Sequence, residues 1–163
     1  NRRDDLHRFL LTGLIAALIT ICFWGMLPSS GPSAWVDLLP EVQAALHTVV
    51  GPGYGAELNR LALEGVQYIS PKEVLGLIAF PSFHTVMACL SVWFTSRFRY
   101  VVPFSLALNA LMLPAILVHG GHHLVDLLGG IVTFAVALKL SGLMMPQFKR
   151  AASNAQSWQP KTA

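Results

Sequence analysis

Residues 122–145 read HHLVDLLGGIVTFAVALKLSGLMM, and between Asp126 and Lys139 the stretch carries no formal charge. It is longer than the ~20 apolar residues a helix needs to cross the ~30 Å hydrocarbon core of a bilayer. Pro146, Lys149 and Arg150 close it. Working outward, three more stretches read as spans. Residues 9–27 are closed by Pro28 and a Ser/Gly/Pro turn, and residues 81–96 end in the basic Arg97 and Arg99. Residues 101–118 are interrupted by Pro103 and Pro114, which neighbouring helices must accommodate. The 81–96 span is short: at ~1.5 Å per residue it covers about 24 Å. Its start is therefore expected below the membrane surface, unless the helix extends backward through 74–80. Composition agrees with a bilayer as solvent. The chain of 163 residues is 54% hydrophobic and only 12% charged, with a mean hydropathy of +0.57, whereas about a quarter of a soluble domain is charged. The expected fold class is all-α: an integral, multi-pass membrane helical bundle with an extracytoplasmic amphipathic segment. The apolar excess excludes disorder, collagen and coiled coil, and two cysteines do not make a disulfide scaffold. Cys22 and Cys89 both lie inside apolar runs and are read as small buried hydrophobes.

The net charge of +3 does not indicate a nucleic-acid partner, because the cations sit at the ends of apolar runs and form no stripe interleaved with aromatics. Their distribution sets an orientation. Arg2, Arg3 and Arg8 flank the first span, Arg97 and Arg99 link the second and third, and Lys139, Lys149, Arg150 and Lys161 lie near or beyond the end of the fourth. Nine of the eleven lysines and arginines thus fall on one side. The other side holds Arg60 and Lys72 among Asp37, Glu41, Glu57, Glu64 and Glu73. The positive-inside rule then places both termini in the cytoplasm and residues 28–80 outside; in a bacterial cell this would be the cytoplasmic membrane. The first run has charged flanks and no small-residue cleavage motif, so it is expected to be retained and not removed as a signal peptide. Within 28–80, two pieces, 33–50 and 54–70, are separated by Gly51-Pro52-Gly53. In the second, Leu58, Leu61, Ala62, Gly65, Val66 and Ile69 recur at helical spacing opposite Glu57, Arg60, Glu64 and Gln67, as in a helix lying on the membrane or capping the bundle. The domain reading is a membrane catalytic domain over 1–150 and a polar, mobile cytoplasmic tail over 151–163.

This topology carries two histidine clusters to the outer boundary. Pro81-Ser82-Phe83-His84-Thr85 opens the second span from outside, and His119-Gly120-Gly121-His122-His123-Leu124-Val125-Asp126 opens the fourth. Ionisable groups at that depth are costly and mark candidate sites. His122 and Asp126 are four apart and so share a helical face, where Asp126 can take a hydrogen bond from one imidazole nitrogen and leave the other as a lone-pair donor. Three blander or competing readings stand beside this one. His84 could be a satisfied interfacial histidine, and His122–Asp126 a structural pair at a helix start. A metal site could form from His119, His122, His123 and Asp126, although adjacent histidines project about 100° apart on a helix and serve one ion poorly. No metal and no cofactor are expected.

Pro81-Ser82-Phe83-His84 resembles the Pro-Ser-Gly-His element of the type 2 phosphatidic acid phosphatase superfamily, and His122-x-x-x-Asp126 the end of its third motif. The fuller strings, Phe80-Pro81-Ser82-Phe83-His84-Thr85 and Gly121-His122-His123-Leu124-Val125-Asp126, are most similar to the branch holding inositol phosphorylceramide synthases and their relatives. The resemblance covers residues 80–145. It implies that His122, oriented by Asp126, attacks phosphorus to form a phosphohistidine, and that His84 protonates the leaving alkoxide. Ser82 and backbone N–H groups at the helix starts would hold the anionic oxygens. It also implies six spans, two of them upstream of Asn1, with a lipid phosphate at the outer leaflet as substrate and membrane lipids as surroundings. Two motifs depart from the pattern. The first, Lys, six residues, Arg-Pro, is missing: Lys72 is followed seven residues on by Ala79-Phe80-Pro81. The Ser-Arg pair expected before the third-motif histidine falls at Ala115-Ile116. Lys72, Arg60 and His119 are the candidate substitutes for the missing phosphate-binding cations. Hydrolysis to free phosphate is the expected activity, with transfer to an alcohol as the alternative. A non-enzymatic lipid-binding or transport protein is the reading from another class.

Overall fold

The computed structural model describes residues 2–36, 39–46, 53–65, 78–119 and 121–157, and every regular element among them is helical. In chain order these are α1 (Arg2–Met26), a short 3-10 turn (Pro32–Ala34), α2 (Pro40–Leu46), α3 (Gly53–Glu64), α4 (Phe83–Thr95), α5 (Val102–Val118) and α6 (Leu124–Ser157). Among the described residues, two segments are long and apolar enough to cross a membrane, Arg2–Met26 and Leu124–Phe148. The helices α4 and α5 are apolar but shorter, at 13 and 17 residues, or about 20 and 26 Å.

The bundle is built on α6. Both α1 and α4 pack against it and against each other, and α5 packs on α4. Ala16, Val86, Leu90, Phe134 and Ala137 form the core, with Phe9, Ile19, Phe83 and Phe94 closing round it. Small residues at the crossings allow the backbones close together, the usual device where lipid removes the hydrophobic drive between helices. Small hydroxyl residues lie inside: Thr12, Ser105, Thr133 and Ser141 are buried while Leu10, Leu14, Leu18, Leu111, Leu128 and Val132 are exposed. At the α1–α6 crossing the Thr12 hydroxyl donates to Ser141 Oγ (2.7 Å), which donates on to the Leu138 carbonyl (2.9 Å). Such interhelical bonds average about 0.6 kcal/mol in a membrane protein. Phe23 meets Phe80 at one end of α1, and Arg8 reaches the Leu138 carbonyl at the other, so α1 runs antiparallel to α6. The Asp5–Arg97 ion pair ties the start of α1 to the α4–α5 turn. Arg8, Arg97 and Lys139 are therefore at one end of the bundle, and the starts of α4 and α6 at the other.

Several boundaries differ from the sequence reading. The first helix begins at Arg2, so its cations ride on the helix itself. Pro103 sits in the first turn of α5, where its missing N–H costs nothing, and Pro114 lies within a continuous helix. Asn109 in that helix donates from Nδ2 to the Ser105 carbonyl one turn back (2.7 Å), which removes its polar cost. Pro146 does not end the last helix: α6 continues to Ser157, so part of the expected tail is helical, and 158–163 lie outside the described residues. The amphipathic helix expected over 54–70 stops at Glu64. Gly65 takes φ +73°, a left-handed conformation natural to glycine, and its N–H bonds the Leu61 carbonyl (3.2 Å). Gly65 thus terminates the helix instead of lining its apolar face; 66–77 lie outside the described residues. Cys22 is exposed on α1 and Cys89 partly buried, and both are free, which corrects the buried reading for Cys22.

Candidate active site

The starts of α4 and α6 are fastened to each other. Ser82 is the N-cap of α4, its Oγ accepting the Thr85 N–H (3.4 Å), while its own N–H donates to the Asp126 carbonyl (2.9 Å). The approach is close because Gly130 faces Ser82 and Thr85, and Gly129 faces the Phe80 ring. Two helix N-termini, each with N–H groups that no helical carbonyl satisfies and a positive dipole end, thereby meet at one place. The helix α4 does not extend backward through 78–82: these described residues are non-helical, and the Phe80–Pro81 peptide is cis.

At this junction His84 Nδ1 lies 3.2 Å from His122 Nε2, bridging 38 residues of sequence. His122 is buried, at 6% exposure, whereas His84 is exposed. His122 Nδ1 lies 2.8 Å from the Ala79 carbonyl oxygen. A carbonyl can only accept, so Nδ1 bears the proton and Nε2 keeps a lone pair directed at His84. In the neutral pair, His84 Nδ1–H is then the donor across the contact.

Asp126 is arranged differently from the expectation. The last helix begins at Leu124, so His122 lies ahead of it and the two do not share a helical face. The Asp126 carboxylate instead turns back and accepts the His123 N–H (2.6 Å), the side-chain half of a capping box with His123 as N-cap. It still stands 3.6 Å from His122 Nδ1, and at 2% exposure it is as buried as its neighbour. The nearest acceptor for the His122 proton is therefore a backbone carbonyl, and the carboxylate is a close charge behind it.

The remaining expected residues divide. Ser82 is at the junction but fully buried, with its hydroxyl used as a cap. His119 ends α5, donating its N–H to the Ala115 carbonyl (2.9 Å), and its Nδ1 is buried with no hydrogen-bond partner among the described residues. Arg60 lies on α3, which packs on the 3-10 turn, and its Nε donates to Glu57 Oε2 (3.0 Å). That guanidinium holds the Glu57 carboxyl below the usual carboxylate range. Lys72 lies outside the described residues. Among the described residues no three or more His, Cys, Asp or Glu side chains gather as a metal-binding group; His122 and His123 separate, one buried and one exposed. The residue missed entirely by the sequence reading is Ala79, because a carbonyl partner leaves no mark in residue type.

An apolar cavity of about 400 Å³ opens between α1 and α6, lined by Phe23, Phe80, Pro81, Val125, Val132 and Val136 among others but by neither histidine. No curated protein and no solved structure matches the chain. Residues 1–140 match a family model described as the PAP2 superfamily, a span that contains both histidine elements and all but the end of the bundle. The chain belongs to the PAP2 superfamily, which generally comprises phosphatases and related phosphotransferases acting on phosphorylated substrates, often lipids.

Proposed function

We propose that this protein is a membrane-embedded lipid phosphatase that works through a phosphohistidine on His122. The observation that carries the reading is the buried imidazole whose Nδ1 proton is committed to Ala79 and whose Nε2 lone pair faces an exposed second histidine. Nε2 of His122 attacks phosphorus and the P–O ester bond breaks. His84, in its protonated imidazolium form, passes a proton to the departing alkoxide and becomes neutral. Water, deprotonated by the now neutral His84, then attacks phosphorus as the P–N bond breaks, releasing phosphate and restoring the neutral His122 and the protonated His84. The Asp126 carboxylate stabilises the positive charge that develops on the attacking imidazole, and the two helix N-termini favour the phosphate dianion. An attacking nitrogen needs its phosphorus about 3–3.5 Å away, and the acid needs the leaving oxygen at about 2.6–3.2 Å. The two histidine nitrogens must therefore part to roughly twice their present spacing, and the exposed His84 is the one free to move. The apolar cavity between α1 and α6, which Phe80 and Pro81 help to line, suits a lipid chain.

The second reading is transfer of a phosphate-bearing headgroup, such as inositol phosphate, to the alcohol of another lipid. The two strings around His84 and His122, and the absence of the Lys-x6-Arg-Pro motif, favour it. The protein reconstituted in vesicles should turn over lipid phosphates, be inhibited by vanadate, which adopts the five-coordinate geometry of the transfer, and keep its activity in EDTA. Release of inorganic phosphate at all acceptor concentrations leaves hydrolysis standing; a new phosphodiester at the expense of free phosphate leaves transfer. Failure to process any lipid phosphate with or without acceptor would sink both and return the lipid-binding reading.

The proposal includes a topology: α1, α4, α5 and α6 all cross, the termini are cytoplasmic, and the histidine pair faces outside. It is supported by the gathering of Arg8, Arg97 and Lys139 at the end of the bundle away from the histidines. In a variant lacking Cys22 and Cys89, Gly53→Cys should react in sealed cells with a membrane-impermeant thiol reagent, and Ser96→Cys only after permeabilisation. Labelling of Ser96→Cys from outside would reverse the orientation.

A further inference from the structure

The described residues 78–82, which supply the Ala79 carbonyl, belong to no helix or strand. What holds them is Ser29, in the turn after α1. The Ser29 hydroxyl accepts the Phe80 N–H at 2.9 Å, and its carbonyl accepts both the Ala79 N–H (3.2 Å) and the Trp24 Nε1–H (3.3 Å). The first of these bonds matters most. The Ala79 carbonyl and the Phe80 N–H belong to one peptide unit, and in a planar trans peptide they point in opposite directions. Ser29 Oγ therefore grips one edge of the plane whose other edge receives the His122 proton at 2.8 Å. Rotation of that plane would swing the carbonyl away from the imidazole; the serine bond opposes it. The Phe80 ring, seated against Phe23 at 5.2 Å between centroids and against Gly129, blocks displacement of the same segment. Ala79 itself is fully buried, so water does not replace a lost bond there.

We propose that Ser29 is a positioning residue: acting through the Ala79–Phe80 peptide, it fixes the tautomer and direction of the His122 imidazole. Hydrogen bonds in series polarise one another, so the serine also strengthens the bond that keeps the proton on Nδ1 and the lone pair on Nε2. The inference rests on His122 as the attacking residue for its effect on turnover, but not for its effect on the ring. Sequence alone marks Ser29 only as part of a Ser/Gly/Pro turn.

Two readouts separate these levels. In micelles, with histidine ¹⁵N-labelled in the full chain and the His122 signals identified by their loss in His122→Gln, His122 should show the Nδ1–H tautomer. Ser29→Ala should move its signals toward a tautomer mixture, and Ser29→Thr, which keeps the hydroxyl, should restore them. On p-nitrophenyl phosphate, Ser29→Ala should lower kcat by roughly 2- to 12-fold, the worth of one net hydrogen bond, with KM nearly constant. Unchanged His122 nitrogen shifts in Ser29→Ala, or failure of Ser29→Thr to restore them, overturns the proposal. A shifted tautomer with unaltered kcat upholds the clamp and counts instead against His122 as the nucleophile. Should Ser29→Ala not fold, Ser29→Cys, of nearly the same shape but with a weak acceptor, must show the same shift, and unchanged signals there overturn the clamp equally.

Discussion

His84→Ala is expected to lose roughly 10²–10⁴-fold in turnover of an alkyl phosphate, about 3–5 kcal/mol of barrier, yet far less with p-nitrophenyl phosphate. A lipid alkoxide is strongly basic and needs a proton as its bond to phosphorus breaks; an acidic phenol leaves without one. His122→Ala should lose activity on both substrates, because the nucleophile is needed whatever departs. The two truncations differ in what they disturb, so each variant is compared with itself on the two substrates. His84 is exposed and its truncation leaves no cavity, whereas His122 is buried and hydrogen-bonded to Ala79. The quantity to measure is the ratio of the two losses in each variant. Equal slowing of both substrates by His84→Ala would mean that this residue binds phosphate or is itself the nucleophile, and the assignment of roles to the pair would be wrong.

Gly130→Ala is expected to do through packing what His122→Ala does through chemistry. A Cβ at Gly130 would lie 2.5 Å from the Ser82 carbonyl oxygen and 2.7 Å from Thr85 Cβ. Neither neighbour can yield: one is backbone, and Ser82 and Thr85 are 0% and 1% exposed. Overpacking of this kind costs about 1–3 kcal/mol. The strain falls on the starts of α4 and α6, so turnover should fall together with stability. Gly25→Ala is the matched control. It meets nothing within 4 Å and should be neutral or raise stability by up to about 1 kcal/mol through helix propensity. Unfolding titrations in detergent compare the two. Equal midpoints for Gly130→Ala and the parent protein would show that the two helices do not approach as closely as described.

That the chain is all-helical among the described residues, and where its four apolar helices lie, was legible because long apolar runs have few alternatives; the runs ending near Met26 and Val118 stop where Pro28 and His119 follow. The meeting of His84 with His122 was legible too, as a consequence of placing two helix starts at one end of a bundle. Local ends were harder. Gly65 fitted an apolar stripe by spacing, yet its freedom at positive φ made it a stop. Pro146 looked like a stop, yet the helix passes through it. The i, i+4 spacing of His122 and Asp126 presumed that the helix reached His122. The three-residue spacing from His123 to Asp126 is a capping-box signal, and it pointed to a later start. The partner of His122 lay beyond any pattern, since a carbonyl is present at every residue and only the path of the chain selects Ala79.

The distribution of charge along the bundle bears on the lipid around it. On α6, Asp126 and Lys139 are thirteen residues apart, about 20 Å, and α4 spans the same height between Ser82 and the turn bearing Arg97. With the four helices crossing as proposed, the slab free of formal charge on this flank is a third thinner than the ~30 Å hydrocarbon core it displaces. Lys139, exposed on α6, can snorkel along its own methylenes. The rest of the mismatch falls on the bilayer, which must pinch locally. Pinching draws the headgroup layer inward toward the histidines, so a phosphate could reach them while its acyl chains stay in the leaflet.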